Sequence, residues 1–115
     1  ALKNQKLTLY GDGSQTRSFC YVDDLIKGMI LLMNSDYRKP INIGNPYEFS
    51  IKELADLVKS LVNPNLEFIN KDLPEDDPKQ RKPSIELAKK ILNWEPQIQL
   101  QEGLIKSIEW FKDNL

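Results

Sequence analysis

The chain has 115 residues, 40% hydrophobic and 29% charged, a length that holds one ordinary domain and not two. Lys and Arg total 16 against 17 Asp and Glu, a net charge of −1, so no overall field draws in nucleic acid or an anionic membrane and any anion site must be local. With no histidine and one cysteine, Cys20, an internal disulfide, a zinc site and a His-based triad are excluded, and a reducing compartment fits better than a secretory one.

The opening residues do not read as a signal peptide, and the longest apolar run, Met29–Met33, is far below the roughly 18 residues that span a bilayer. The stretch starts at Ala1-Leu2 without an initiator methionine, which points to a parent protein whose beginning is missing. Residues 7–10 and 18–22 are short, β-branched and aromatic, and Gly11-Asp-Gly13 between them supplies positive φ, so two strands around a tight turn are expected. Asp23 or Asp24 can cap a following helix in which Leu25, Ile26, Met29, Ile30, Leu32 and Met33 form a broad apolar face, ended by Asn34-Ser-Asp36.

Ile41-Asn-Ile-Gly44 alternates like a brief strand before Gly44-Asn-Pro46 breaks it. Ser50-Ile-Lys-Glu53 is a capping-box pattern, with Phe49 placed to staple onto Leu54. The helix it starts carries Leu54, Leu57, Val58 and Leu61 on one face and stops at Asn63-Pro64-Asn65. Leu66–Ile69 can add a strand, residues 70–83 form a polar loop with three prolines, and Ser84 can cap a helix bearing Ile85, Leu87, Ala88, Ile91 and Leu92. A last helix carries Leu104, Ile105, Ile108 and Phe111. Short strands alternating with about four amphipathic helices predict an α/β arrangement, and strands this few and short predict a partial domain that packs on further sequence.

Arg17 follows Gly11-Asp-Gly13, where backbone N–H groups and a planar guanidinium could meet phosphate oxygens; the alternative is a surface arginine beside a hairpin turn. Arg81 sits between prolines on a loop longer than compact domains usually carry without a function. A solvated mixed-charge linker is the competing account of that loop, and Asp76 and Asp77 would repel a phosphate unless they pair with Lys79 or Lys82 or point away. Tyr10 can stack on a flat ring or belong to a core. Asn42, between Ile41 and Ile43, can face a ligand or water. Glu48, Glu53 and Asp56 are explained by capping and the helix dipole rather than by acid–base chemistry, and Cys20 as a small buried residue. Neither G-x-x-x-x-G-K-[ST] nor G-x-G-x-x-G is present.

Taken in order, Tyr10-Gly-Asp-Gly-Ser-Gln-Thr-Arg-Ser-Phe19, Tyr21-Val-Asp-Asp-Leu25, Ile41-Asn-Ile-Gly-Asn-Pro46, Asp76-Asp-Pro-Lys-Gln-Arg-Lys-Pro83 and Leu92-Asn-Trp-Glu-Pro96 resemble the C-terminal part of an extended short-chain dehydrogenase/reductase acting on nucleotide sugars. Within that superfamily the third and fourth segments most resemble the UDP-glucuronate decarboxylases, or UDP-xylose synthases. UDP-sugar 4-epimerases and nucleotide-sugar dehydratases are near rivals, and a non-catalytic interaction module is the alternative from another class. Ser84 stands where the family usually has aspartate, and either residue can cap a helix.

The resemblance implies a two-part enzyme: an N-terminal Rossmann domain that binds NAD, absent from this chain, and a C-terminal UDP-sugar-binding portion comprising residues 1–115. It implies that Tyr10 lies in the strand beside the nucleoside, that Arg17 faces the ribose and diphosphate, that Arg81 approaches the diphosphate from the opposite loop, and that Asn42 also contacts substrate. The implied chemistry is oxidation of the sugar C4 hydroxyl by NAD, loss of the carboxylate of the resulting β-keto acid as carbon dioxide, and reduction to UDP-xylose. The family's Tyr-x-x-x-Lys pair is not among these residues, so the fragment alone is expected to be inactive. The full-length enzyme is expected to be a homodimer, in the cytoplasm or the Golgi lumen.

Overall fold

The computed structural model describes residues 1–115. Its elements run β1 (Leu7–Tyr10), β2 (Thr16–Ser18), α1 (Val22–Met33), β3 (Glu48–Ser50), α2 (Ile51–Val62), β4 (Phe68–Lys71), α3 (Glu86–Leu92) and α4 (Leu100–Asn114). The mixed α/β character and the four helices match the sequence reading, but the strand pairing does not. β1 pairs with β4 in parallel, Leu7 opposite Phe68 and Tyr10 opposite Lys71, while β2 pairs with β3. No hairpin closes across Gly11-Asp-Gly13: the turn leads the chain away from β1, which takes a partner beyond α2, as parallel pairing requires.

Two compact units divide the chain: Ala1–Arg17, Phe49–Arg81 and Leu104–Leu115 form the first, Ser18–Glu48 and Lys82–Gly103 the second. In the first unit α2 packs on β1. Alternation along β1 turns Leu9 inward at 3% exposure, and Leu66 and Ala55 are buried in the same unit. Phe68 lies under two lysines, with Lys52 Nζ 4.8 Å and Lys59 Nζ 5.1 Å from the ring centroid, cation–π contacts that let the aliphatic stems of α2 cover the ring.

The core of the second unit is Ile85, Ala88, Leu92 and Trp94, with Cys20, Leu32, Ile41 and Ile43 against it. Burying Ile85 and Leu92 contributes about 1.5–3 kcal/mol each. Here the sequence reading needs four corrections. The strand expected over residues 18–22 lies at Thr16–Ser18 instead, and Val22 already opens α1. Residues 41–44 form no strand, although Ile41 and Ile43 do pack inward. Neither Asp23 nor Asp24 caps α1, whose N-cap is Tyr21 without a side-chain hydrogen bond, because the Asp24 carboxylate is used elsewhere. Ser84 does not cap α3 either; the N-cap is Ile85.

α1 meets this core through Leu32 and through a glycine that lets the helix come close. Gly28 is buried, and a Cβ there would stand 2.8 Å from Ile43 Cγ2 and 3.2 Å from Trp94 Cε2. Other large apolar side chains of α1, Ile26, Met29, Ile30 and Met33, are exposed. A helix apolar on more than one side is characteristic of one buried from several directions. No helix is long and apolar enough to cross a membrane.

Candidate functional site

The glycine turn is built around the start of α2. Gly11 has φ 65° and Gly13 φ 77°, backbone conformations that side chains with a Cβ rarely adopt. Asp12 Oδ1 accepts the Ser14 N–H at 2.9 Å, an Asx turn, and hydrogen bonds from Ser14 hold the Asp12 carboxyl below the usual carboxylate range. The Gly13 and Gln15 carbonyls accept the Lys52 and Ile51 N–H groups, both at 2.9 Å. Ser50 Oγ accepts the Glu53 N–H at 3.0 Å, as the capping pattern predicts. The first donors of α2 are thereby satisfied by the loop and by its own cap.

That arrangement changes what the loop can offer an anion. The N–H of Gly11 donates to the Lys71 carbonyl at 2.6 Å, that of Thr16 to the Lys79 carbonyl at 2.8 Å, and that of Ser14 to Asp12. The amides of Gly11, Ser14 and Thr16 are therefore committed within the protein, and Arg17 follows directly after the last of them.

Arg17 and Arg81 lie on neighbouring strands of chain. Thr16 and Gln80 form a parallel bridge, so the residue after each, Arg17 and Arg81, follows the same contact in the same direction, within one compact unit. Arg17 is partly buried and Arg81 exposed. Arg17 Nη1 donates to the Thr16 carbonyl at 2.6 Å, and Nη2 to Asp77 Oδ1 at 2.9 Å. Their side chains are 21% and 30% exposed, which makes this pair less screened than the exposed Lys6–Glu67 pair. Asp77 thus finds its partner in Arg17 rather than in Lys79 or Lys82.

Tyr10 ends β1 in the same unit, 46% exposed. Asn42 is exposed, in a segment without regular structure, and belongs to the second unit. Two residues went unremarked in the sequence. Gln15 is buried, and its Nε2 donates to the Tyr10 carbonyl at 3.1 Å; no local pattern marks it. Asn45 is buried with Oδ1 accepting the Tyr47 N–H at 2.9 Å, and its place before Pro46 in a turn was the available signal. These residues do not form a dinucleotide cradle: Gly11-Asp-Gly13 lacks a third glycine, opens no helix of its own, and its first amide is already bonded to Lys71.

Residues 1–107 match the family model described as GDP-mannose 4,6 dehydratase. The chain is 52% identical over 104 residues to UDP-glucuronic acid decarboxylase 5 of Arabidopsis thaliana, covering 90% of this chain and 30% of that protein. It is 48% identical over 115 residues to UDP-glucuronic acid decarboxylase 1 of Xenopus tropicalis, covering 100% of this chain and 27% of that protein. Among solved structures, UDP-glucose 4-epimerase of Thermotoga maritima with UDP-glucose superposes at a TM-score of 0.93, with 28% identity over 98% of this chain and 37% of that one. UDP-glucuronic acid 4-epimerase of Bacillus cereus, in complex with UDP-glucuronic acid and NAD, gives 0.90 with 27% identity over 99% and 37%. The chain therefore spans about 30% of the length of the curated relatives it matches.

Proposed function

Because the chain belongs to the GDP-mannose 4,6-dehydratase family, we propose that it is the UDP-sugar-binding portion of a UDP-glucuronate decarboxylase, which forms UDP-xylose and carbon dioxide. In this reading Arg17 and Arg81 hold the diphosphate, Tyr10 lies beside the nucleoside and Asn42 contacts substrate. A Rossmann domain outside these residues holds NAD, which supplies the hydride chemistry, and the full-length enzyme is a homodimer.

The observation that carries the reading is the Thr16–Gln80 bridge, which brings two arginine-bearing segments, distant in sequence, into one unit. A diphosphate carries about two charges that are costly to leave unpaired away from water, and guanidinium groups meet them in matched geometry. The identity to decarboxylases, 52% and 48%, favours that chemistry over epimerisation. The exposed Ile26, Met29, Ile30 and Met33 of α1 support a further portion of protein covering that helix.

The test is to incubate the full-length protein with UDP-glucuronate and NAD and to assay carbon dioxide and UDP-xylose. Both products are expected. UDP-galacturonate without carbon dioxide would mean a 4-epimerase, and no turnover together with no UDP binding would mean an interaction module.

A further inference from the structure

We infer that Asp77 is a positioning residue for Arg17: its carboxylate fixes the guanidinium in the orientation that receives the diphosphate. This rests on the reading of Arg17 as a diphosphate ligand. An arginine side chain loses rotamer freedom when it is ordered, and one already ordered before the ligand arrives binds it more tightly. Arg17 is ordered from two sides, by the Thr16 carbonyl at 2.6 Å and by Asp77 Oδ1 at 2.9 Å. Asp77 is itself fixed: its N–H donates to the Pro74 carbonyl at 3.2 Å, and Pro78 follows with its restricted φ. The Thr16–Lys79 hydrogen bond at 2.8 Å then ties that turn to the segment of Arg17.

Geometry and charge act in opposite directions at this position. As a hydrogen-bond acceptor Asp77 orients the guanidinium; as an anion it repels the diphosphate and weakens the field that Arg17 presents. Asparagine keeps an acceptor oxygen and removes the charge. Glutamate keeps the charge and displaces the oxygen by one methylene. Alanine removes both. An Asp77 that merely competed with the ligand for Arg17 would instead give tighter binding on truncation to alanine.

The experiment is calorimetric titration of UDP into the full-length protein and its variants. Asp77→Ala is expected to weaken UDP by about 3- to 10-fold, the range of one ordinary hydrogen bond, Asp77→Glu to weaken it as well, and Asp77→Asn to bind at least as tightly as the wild type. In an Arg17→Ala background, Asp77→Ala should have no further effect. Unchanged or tighter binding by Asp77→Ala overturns the inference, and so does an equal loss in the Arg17→Ala background, which would show a role in loop structure alone. Wild-type affinity in Arg17→Ala itself would overturn the diphosphate site and this inference together, whereas a strong Arg17→Ala effect with an inert Asp77→Ala would overturn only the latter.

Discussion

Asp24 Oδ2 accepts the backbone N–H of Ile98 at 2.8 Å, and the same oxygen takes the N–H of Gln97 at 3.0 Å. The carbonyl of Asp24 meanwhile accepts the indole N–H of Trp94 at 3.0 Å. One residue at the start of α1, 2% exposed, therefore organises the turn between α3 and α4 within the second unit. Removing the carboxylate leaves two part-buried backbone donors without their acceptor. Asp24→Ala should cost about 2–4 kcal/mol, and Asp24→Asn less, because an amide oxygen still accepts. Urea unfolding followed by tryptophan fluorescence reads this directly, and a midpoint equal to that of the wild type would contradict it.

Gly28 sets a second stability prediction, in which two effects oppose each other. Replacing a mid-helix glycine by alanine favours the helix by about 1 kcal/mol. Yet the new methyl would lie 2.8 Å from Ile43 Cγ2 and 3.1 Å from Ile43 Cδ1, and overpacking of this kind costs about 1–3 kcal/mol. The neighbours are themselves packed in the core of the unit, so the steric effect should prevail. Gly28→Ala is expected to lower the thermal midpoint; a rise would show that Ile43 moves aside freely.

The features legible in the sequence were those whose partners are near in sequence. Ser50 and Glu53 announce the start of α2 because cap and capped amide are three residues apart, and the 3.6-residue period of Leu54, Leu57, Val58 and Leu61 extends the helix from there. β1 was equally plain, but its partner was not, since nothing in Leu7–Tyr10 distinguishes a neighbour across a glycine turn from Phe68–Lys71 beyond a helix. Asp24 looked like a cap because aspartate at a helix start usually is one; its true partners, Gln97 and Ile98, lie at the other end of the chain. The same limit hid the Arg17–Asp77 pair. Both residues stand out in the sequence, one as a candidate ligand and the other as a source of repulsion, and only the fold pairs them.

The capping of α2 is divided between Ser50 and the glycine turn, which makes its two parts separable. Ser50→Ala removes one acceptor from an exposed amide and should cost about 1 kcal/mol. Gly13→Ala should cost more, because φ 77° is strained for alanine and its Cβ would press on Lys52 at 3.0 Å while the Gly13 carbonyl is needed by the Lys52 amide. Strain at such a position costs about 1–3 kcal/mol. Denaturation midpoints for the two single variants, in the order wild type, Ser50→Ala, Gly13→Ala, are the expected result, and the reverse order would assign the cap to Ser50 alone.

Cys20 gives a pH-dependent prediction. Burial, and secondarily the negative charge of Asp24, push its thiol above the ordinary value, and Sγ lies 3.7 Å from the Tyr21 carbonyl, a contact open only to the protonated form. The folded state then holds this proton more tightly than the unfolded chain does. Its contribution to stability is complete below the ordinary thiol pKa and is lost as pH rises from there through the raised value of the folded state. A Cys20→Ala variant should therefore show a smaller fall in urea midpoint across that alkaline range than the wild type. Because the thiolate is the nucleophile, iodoacetamide should also alkylate Cys20 more slowly in the native protein than in urea at the same mildly alkaline pH; equal rates would mean that the thiol is neither shielded nor shifted.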